Sequence, residues 1–465
     1  MSVENTHFGA LGIAEALKNC KKIFFIGIGG ISMSALARIS LLSGYGVGGS
    51  DRGEGALIES LKAMGMEIFS GHDARHLCGY DAVVYTVAIG EDNPEYLAAK
   101  ERGLPLFSRS DYLNFLMTGY RVRVGVAGMH GKSTCTAMCS RIFLAASDPT
   151  VLCGAPLPEA EHFSCRIGRS KEHFVFEACE YMDSFLDFSP TLAVILNIAM
   201  DHVDYFHSME QIRASFLAYA RRTGKNGTVL YNADDPESLL ALADFEGRHV
   251  TFGIDKKADF TARSITADQK GTSFDLYQGD RFLRRIVLKV HGRHMIYNAL
   301  AAAGAAILCG ISLDAIAKGL LDFVGAGRRM EYKGEINGAG VYDDYGHHPD
   351  EIRATLAGAK EMGFSRILCA YQPHTYSRTA GLLEEFSTAF GDADRVYLAD
   401  IYAAREQNIY GVDSALLADR IGEKATYCGS FERVAQAIKG DAREGDLVIV
   451  MGAGDIFKTF DFLLK

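Results

Sequence analysis

The chain has 465 residues, with 48 Lys plus Arg against 58 Asp plus Glu, a net charge of −10 and 48% hydrophobic residues. That charge excludes bulk attachment to a nucleic-acid backbone, and no run reaches the ~18 apolar residues of a membrane-spanning helix, so no membrane insertion is expected. Ten cysteines without a C-x-x-C pair exclude a disulfide framework or zinc-finger spacing, and fit reduced thiols in a cytoplasmic protein.

The length suits about three domains. Over the first ~120 residues, strand-like runs at 23–28, 67–69, 82–86 and 104–107 alternate with helical patterns at 31–42, 54–64 and 94–102. Such alternation predicts a doubly wound parallel α/β sheet. Its first strand runs into Gly27-Ile28-Gly29-Gly30-Ile31-Ser32, with Asp51 following in Gly49-Ser50-Asp51. A glycine-rich turn at a helix N-terminus suits a diphosphate, although Ser32 stands where a dinucleotide fingerprint needs Gly or Ala. A tight βα turn in any such sheet would carry the same residues.

A second unit opens with the apolar run 122–127 and Gly128-Met129-His130-Gly131-Lys132-Ser133-Thr134. Glycines let backbone N–H groups close around phosphate oxygens, a lysine reaches the terminal phosphates, and the Ser133 hydroxyl can ligate Mg²⁺. The loop is short: Val126 stands where the usual spacing has its first Gly. Strands are predicted at 174–178 and 192–198, ending in Glu177 and Glu180 and in Asn197-Ile198-Ala199-Met200-Asp201-His202-Val203-Asp204. Acidic groups at strand ends beside Ser133 would form an oxygen-rich cation site, in which His202 is an atypical ligand for Mg²⁺. A helix is predicted near 210–221. Polar and apolar residues then alternate over 261–290, with turns at Lys270-Gly271 and Gly279-Asp280, predicting an antiparallel meander at the sheet edge. Helices follow at 294–309 and 313–323; the first opens on His294 and Asn298, an imidazole able to stack on adenine and an amide able to pair with it.

A third α/β unit is expected from near Gly327, with strands at 341–343, 367–371, 396–399 and 447–451. Its strand ends carry Arg328-Arg329, Asp343-Asp344-Tyr345-Gly346-His347-His348-Pro349, Gln372-Pro373-His374-Thr375-Tyr376-Ser377-Arg378 and Arg405-Glu406. Polar clusters on strand-end loops usually line a cleft. An arginine delivered from a separate domain could neutralise charge during phosphoryl transfer.

Six of these motifs in order, G-M-H-G-K-S, E-A-C-E, N-I-x-x-D-H-x-D, G-R-H-x-x-x-N, D-D-Y-G-H-H-P and Q-P-H-x-Y-S-R-T, together with G-I-G-G and D-N-P-E, resemble the Mur ligases over nearly the whole chain. The resemblance implies three domains: a Rossmann-like UDP-substrate domain (1–120), a central P-loop ATPase domain with a mixed sheet and antiparallel edge (121–326), and a Rossmann-like C-terminal ligase domain (327–465). It implies ATP and Mg²⁺ as cofactors, and L-alanine joined to the carboxylate of UDP-N-acetylmuramate through an acyl phosphate. That chemistry serves peptidoglycan precursor synthesis in the cytoplasm, by a monomer or weak homodimer. A recycling ligase attaching a preformed peptide to the same nucleotide sugar stays open.

By the same resemblance, Lys132 holds the β/γ-phosphates among the loop residues 128–134, Ser133 and Glu177 ligate Mg²⁺, and His202 ligates a second metal. His294 and Asn298 contact adenine, Arg329 reaches the phosphates and Asp343 anchors the nucleotide. Tyr345, His347 and Arg378 surround the amino acid, while Gly27, Gly29, Gly30, Ser50, Asp51, Thr86, Ala88 and Arg109 bind the UDP moiety. Departures are Ser32, Met129, Ser133, Cys179 in place of a frequent Asp, and Thr375 where many members carry Arg. No lysine lies between Met200 and Gly224 for the carbamoylated position of sister ligases, which fits the alanine-adding branch.

Overall fold

A computed structural model of the chain describes residues 3–160, 164–202, 205–268, 271–325 and 328–464. Lys270 of the expected turn, Asp204 of the D-H-x-D motif and the expected boundary at Gly327 lie outside the described residues. The described chain folds into three sheets of five, ten and six strands, with helices between strands.

The first sheet has the order 67–70, 46–51, 22–26, 82–85, 106–108, and every pairing is parallel. Its strand order reverses beside Lys22–Ile26, the place where such sheets open a crevice at their carboxyl ends. The helix Ile31–Leu42 forms as expected. The strand Gly46–Asp51 was not predicted, because GVGGSD has too few β-formers. Its glycines fit close packing: a Cβ at Gly49 would lie 2.5 Å from the Phe25 carbonyl oxygen. The helices Gly9–Ala16 and Arg109–Thr118 are likewise additions to the expected set.

The second sheet runs 281–288, 271–278, 260–268, 248–253, 228–232, 192–195, 122–127, 173–177, 150–152, 165–166. Pairing is parallel from 260–268 through to 150–152, and antiparallel in the meander at one edge and in the short pair at the other. The strand Val122–Ala127 lies between the strand that ends in Glu177 and the strand Leu192–Ile195 that leads into Asn197, so three loops meet at its carboxyl end. Val124 and Val126 pack in one apolar cluster with Met138 and Ile142 of the helix Lys132–Leu144 and the alanines of Arg293–Leu308. Phe174 and Phe176 face the other way, in a cluster continuous with the core of the first sheet.

The third sheet has the order 331–336, 339–344, 447–451, 367–371, 395–399, 425–429; only its first strand is antiparallel. The edge strands Glu331–Ile336 and Ala425–Gly429 escaped sequence reading because they are partly exposed and mixed in composition. Among the described residues no helix is long and apolar enough to cross a membrane.

Candidate active site

At the carboxyl end of Val122–Ala127 the chain turns through Gly128 (φ 143°) and Gly131 (φ 84°), backbone that L side chains rarely adopt. The Asn197 side chain braces this loop by accepting from His130 N (2.8 Å) and donating to the His130 carbonyl (3.0 Å). Lys132 Nζ donates to the carbonyls of Gly128 (2.7 Å) and Met129 (3.1 Å) and to Glu180 Oε1 (3.0 Å). Burial lowers the affinity of this ammonium for its proton, but Glu180 outweighs it and the lysine stays charged. Burial likewise raises Glu180, and Lys132 and His202 bring it below the usual carboxylate value. His202 Nε2 sits 3.2 Å from Glu180 Oε1, its backbone at φ 50°. Positive φ at a non-glycine is strain of the kind that gathers at functional sites.

Ser133 Oγ donates to Glu177 Oε2 at 2.8 Å, and Gly154 N donates to the same oxygen at 2.7 Å. A hydroxyl and carboxylates at the mouth of a phosphate loop are the oxygen donors a hard dication takes. The metal-ligand set expected at Ser133, Glu177 and His202 is therefore gathered around one loop.

A cavity of about 380 Å³ opens between this loop and the third unit. Its walls include His130, Gly131, Thr134, His294, Asn298 and Arg329. Asn298 is buried, and a Cβ at Gly131 would lie 2.6 Å from its Oδ1, so Gly131 is needed for the amide to reach the loop. Burial, aided by nearby Arg329, pushes His294 down to about 4, leaving a neutral imidazole suited to packing on a base. Asn232, Asp234 and Asp235 also line this cavity. Sequence reading missed them, although N-A-D-D-P closing the strand Thr228–Asn232 is a strand-end polar cluster like those singled out.

The third unit contributes Glu351, central to the site and with a side chain only 9% exposed. It lies 3.4 Å from His130 Nδ1, 3.7 Å from Arg329 Nη1 and 3.3 Å from His347 Nδ1. Its burial favours the protonated acid, yet His347, His130 and Arg329 hold it well below the usual range. Sequence reading missed Glu351 because it sits inside a helix, Pro349–Lys360, outside any motif loop.

Of the two adjacent aspartates, Asp344 faces the cavity. Asp343, expected to anchor the nucleotide, turns to the opposite side of its strand and pairs with Arg328 Nε at 3.2 Å. Successive strand residues point to opposite faces, so only one of the pair could serve. Burial pushes Asp343 up to about 6.

A second cavity, about 400 Å³, lies where the second and third units meet, lined by Asp201, His202, Thr375, Arg378 and Arg405 among others. Arg378 reaches across to Asp201 Oδ1 with Nε (3.2 Å) and Nη2 (3.0 Å). Burial raises Asp201, and Arg378 and His202 carry it well below its ordinary value. Arg378, expected beside the amino acid, lines this cavity. Tyr345 and His347 do not line this cavity: the Tyr345 ring packs beside the Arg328 and Arg329 guanidinium groups, at 5.0 and 5.4 Å, and Glu351 holds His347.

A third cavity, about 560 Å³, opens at the switch point of the first sheet. Gly27, Gly29, Gly30, Asp51, Thr86 and Ala88, all named in the sequence as candidates for the UDP moiety, line it together. Asp51 accepts from Gly29 N and Gly53 N, both at 2.8 Å, which shapes the glycine turn. Ser50 and Arg109 differ from expectation. The Ser50 hydroxyl is fully buried, donating to Glu95 Oε2 at 2.6 Å, because inward-facing strand positions belong to the core. Arg109 is not among the residues that line this cavity; its Nη1 donates to Ser32 Oγ at 3.3 Å, and Cys179 and Asp187 of the second unit lie near its guanidinium. Glu95 in turn holds His72 Nδ1 and His76 Nδ1, both at 2.8 Å, and His72 borders the cavity.

Three family models cover the chain in succession: Mur ligase family, catalytic domain, over residues 22–121; Mur ligase middle domain over 126–306; and Mur ligase, glutamate ligase domain, over 328–454. The chain belongs to the Mur ligase family. It is 43% identical over 451 residues to the UDP-N-acetylmuramate–L-alanine ligase of Clostridium novyi, covering 96% of this chain and 98% of that protein. Among solved structures it resembles the UDP-N-acetylmuramate–alanine ligase of Thermotoga maritima, with a TM-score of 0.79, 28% identity, and 95% and 98% of the two chains covered. A murein peptide ligase from Psychrobacter arcticus superimposes with a TM-score of 0.69 at 25% identity, covering 96% and 98%. As a Mur ligase, the chain is an ATP-dependent enzyme that forms amide bonds.

Proposed function

We propose that this Mur ligase joins L-alanine to the carboxylate of UDP-N-acetylmuramate at the expense of ATP, in the cytoplasm, as a step of peptidoglycan precursor synthesis. The observation that carries this reading is the meeting of the Lys132–Glu180–His202 cluster with the Arg378–Asp201 pair across the seam between two units. A phosphate loop, a carboxylate-bearing substrate and an incoming amino acid all need to converge there. The units 1–120, 121–326 and 327–465 would divide the work into nucleotide-sugar binding, ATP binding, and amino-acid binding with closure.

In the first step the substrate carboxylate oxygen attacks the γ-phosphorus of ATP; a C–O–P bond forms and ADP leaves. The amine of L-alanine then attacks the acyl carbon, and the tetrahedral intermediate expels inorganic phosphate as the amine proton is lost. Such chemistry depends on positioning and on stabilising negative charge. Lys132 would leave Glu180 for the β/γ-phosphates, and Arg329 would face them from the third unit. Asn298 and neutral His294 would hold adenine. Arg378 would exchange Asp201 for the amino acid's α-carboxylate, in a bidentate pair. His347, through Glu351, would position Arg329 of the third unit and His130 of the phosphate loop. Ser133 and Glu177 would hold Mg²⁺, with His202 beside a second ion; bound there, the ions would neutralise phosphate charge.

Thr375, in place of a frequent Arg, favours a second reading: a recycling ligase that attaches a preformed peptide. Phosphate release with ATP, Mg²⁺ and UDP-N-acetylmuramate separates the two. Release that requires L-alanine is expected; release only with L-Ala-γ-D-Glu-meso-diaminopimelate would replace the first reading by the second.

A further inference from the structure

Arg405 lines two cavities at once: the one shared by the second and third units, and the one at the glycine turn of the first. Among the described residues it is the single contribution of the third unit to that first-unit cavity. Its place is fixed by the backbone around it. Thr375 N donates to the Tyr402 carbonyl and Tyr402 N to the Pro373 carbonyl, both at 2.9 Å, so the two loops run as a short pair. The ring of His374 stacks on that of Tyr402. Ala404, at φ 52°, bends the chain just before Arg405. Glu406, its neighbour in the chain and also on the wall of the shared cavity, is engaged by Ser377 through both oxygens, from N at 2.9 Å and from Oγ at 2.5 Å. Asp201, across the same cavity, is taken by Arg378. Arg405, an exposed residue, forms no ion pair among the described residues, so its guanidinium at the edge of both cavities is free to take an anion of a bound ligand.

Thr375 lines the same cavity on the loop paired with that of Arg405. We propose that Arg405 supplies, from the neighbouring loop, the guanidinium absent at position 375, and that it binds the anionic part of the nucleotide sugar as the third unit closes over the first. This rests on the nucleotide-sugar reading above and adds a residue that reads that substrate. Two anions of the ligand share the required chemistry, its diphosphate and its carboxylate.

Calorimetric titration of the full chain with UDP-N-acetylmuramate, UDP-N-acetylglucosamine and UDP tests this. Arg405→Ala weakens UDP-N-acetylmuramate binding by about tenfold to a hundredfold, the size of a lost charged pair, and raises its KM while the KM for ATP holds. Equal weakening of all three ligands assigns the contact to the diphosphate, and weakening of UDP-N-acetylmuramate alone assigns it to the carboxylate. The double variant Arg405→Ala, Thr375→Arg regains part of the loss, since it returns a guanidinium to the same cavity. Nucleotide-sugar affinity of Arg405→Ala within twofold of the parent, or a rise confined to the KM for L-alanine, overturns the proposal. A double variant no better than Arg405→Ala removes the claim of replacement. A parent protein that binds none of the three ligands would instead overturn the substrate reading, and this proposal with it.

Discussion

The cavity of the first unit and the seam between the second and third are built in opposite ways. At the first, Asp51 shapes the glycine turn, and Glu95 holds Ser50, His72 and His76, all from one parallel sheet and its loops. At the seam, every key side chain is held by a partner from another element, and often from another unit: Arg378 by Asp201, His130 by Glu351, Lys132 by Glu180. The first site is preorganised by its own fold. The second exists only while two units are docked, and its charges are paired with each other in place of substrate. Charged groups stored in this way are exchanged for ligand charges at low cost, because no bare ion has to be buried in between.

The comparison breaks most visibly at Lys132. Lys132→Ala is expected to lower turnover by about a thousandfold or more, the scale of losing a preorganised charge in a dry site, with the far-ultraviolet dichroism of a folded protein; near-normal turnover would remove the ATP assignment. Next in size, Arg378→Ala should raise the KM for L-alanine by about tenfold to a hundredfold and that for ATP far less. Equal rises in steady-state assays would take Arg378 out of the amino-acid pocket. In the first unit, Glu95→Gln should raise the KM for the nucleotide sugar by roughly tenfold, through loss of the charge that orients His72, and leave the KM for L-alanine unchanged. An effect on both substrates would mean that the two sites are not built independently.

Acid should act on the seam first. Burial pushes His294, His347 and His374 down to about 4, with Arg329 or Arg378 adding to the effect at His294 and His374. Between about pH 6.5 and 4 the unfolded chain binds protons that the native seam refuses, so stability falls as pH falls. For a fully buried imidazole at pH 5 this amounts to about 2 kcal/mol. The depressed carboxylates Glu351, Asp201 and Glu180 push in the same direction, their stabilisation being lost lower still, as pH falls through their native values. Urea midpoints measured from pH 7.5 to 5 should therefore decline, and His347→Gln should flatten the slope; a parallel decline in that variant would place the titrating groups elsewhere. The smallest expected effect is Ser50→Ala, which loses one buried hydrogen bond, about 1 kcal/mol in melting analysis, with the KM for the nucleotide sugar within about threefold.

The phosphate loop, the carboxylates after the strands that flank it, and the arginine that closes the seam were all legible in the chain, because each depends on local chemistry. Glycines, a lysine and a hydroxyl at a strand–helix junction can be read without knowing the neighbours, and strand ends mark where a parallel sheet opens. Which of Asp343 and Asp344 enters the nucleotide cavity was not legible: adjacent strand residues face opposite ways, and only the docking of the second unit decides which face is the inner one. The same holds for Ser50, read as a ligand but buried by the register of Gly46–Asp51, and for Tyr345 and His347, drawn away by Arg328, Arg329 and Glu351. Glu351 has no signature at all, and Asp234 and Arg405 only that of a strand-end polar cluster, since their significance lies in what comes near them from elsewhere in the chain. The sequence by itself determined the α/β class, the order of the nucleotide-binding segments and the chemistry each can offer, because these follow from residue types at short spacing. The tertiary structure alone decided which charges pair across the seam and that Arg405 has no ion pair among the described residues, because pairing depends on distance in space between residues as far apart in the chain as Arg378 and Asp201, 177 positions.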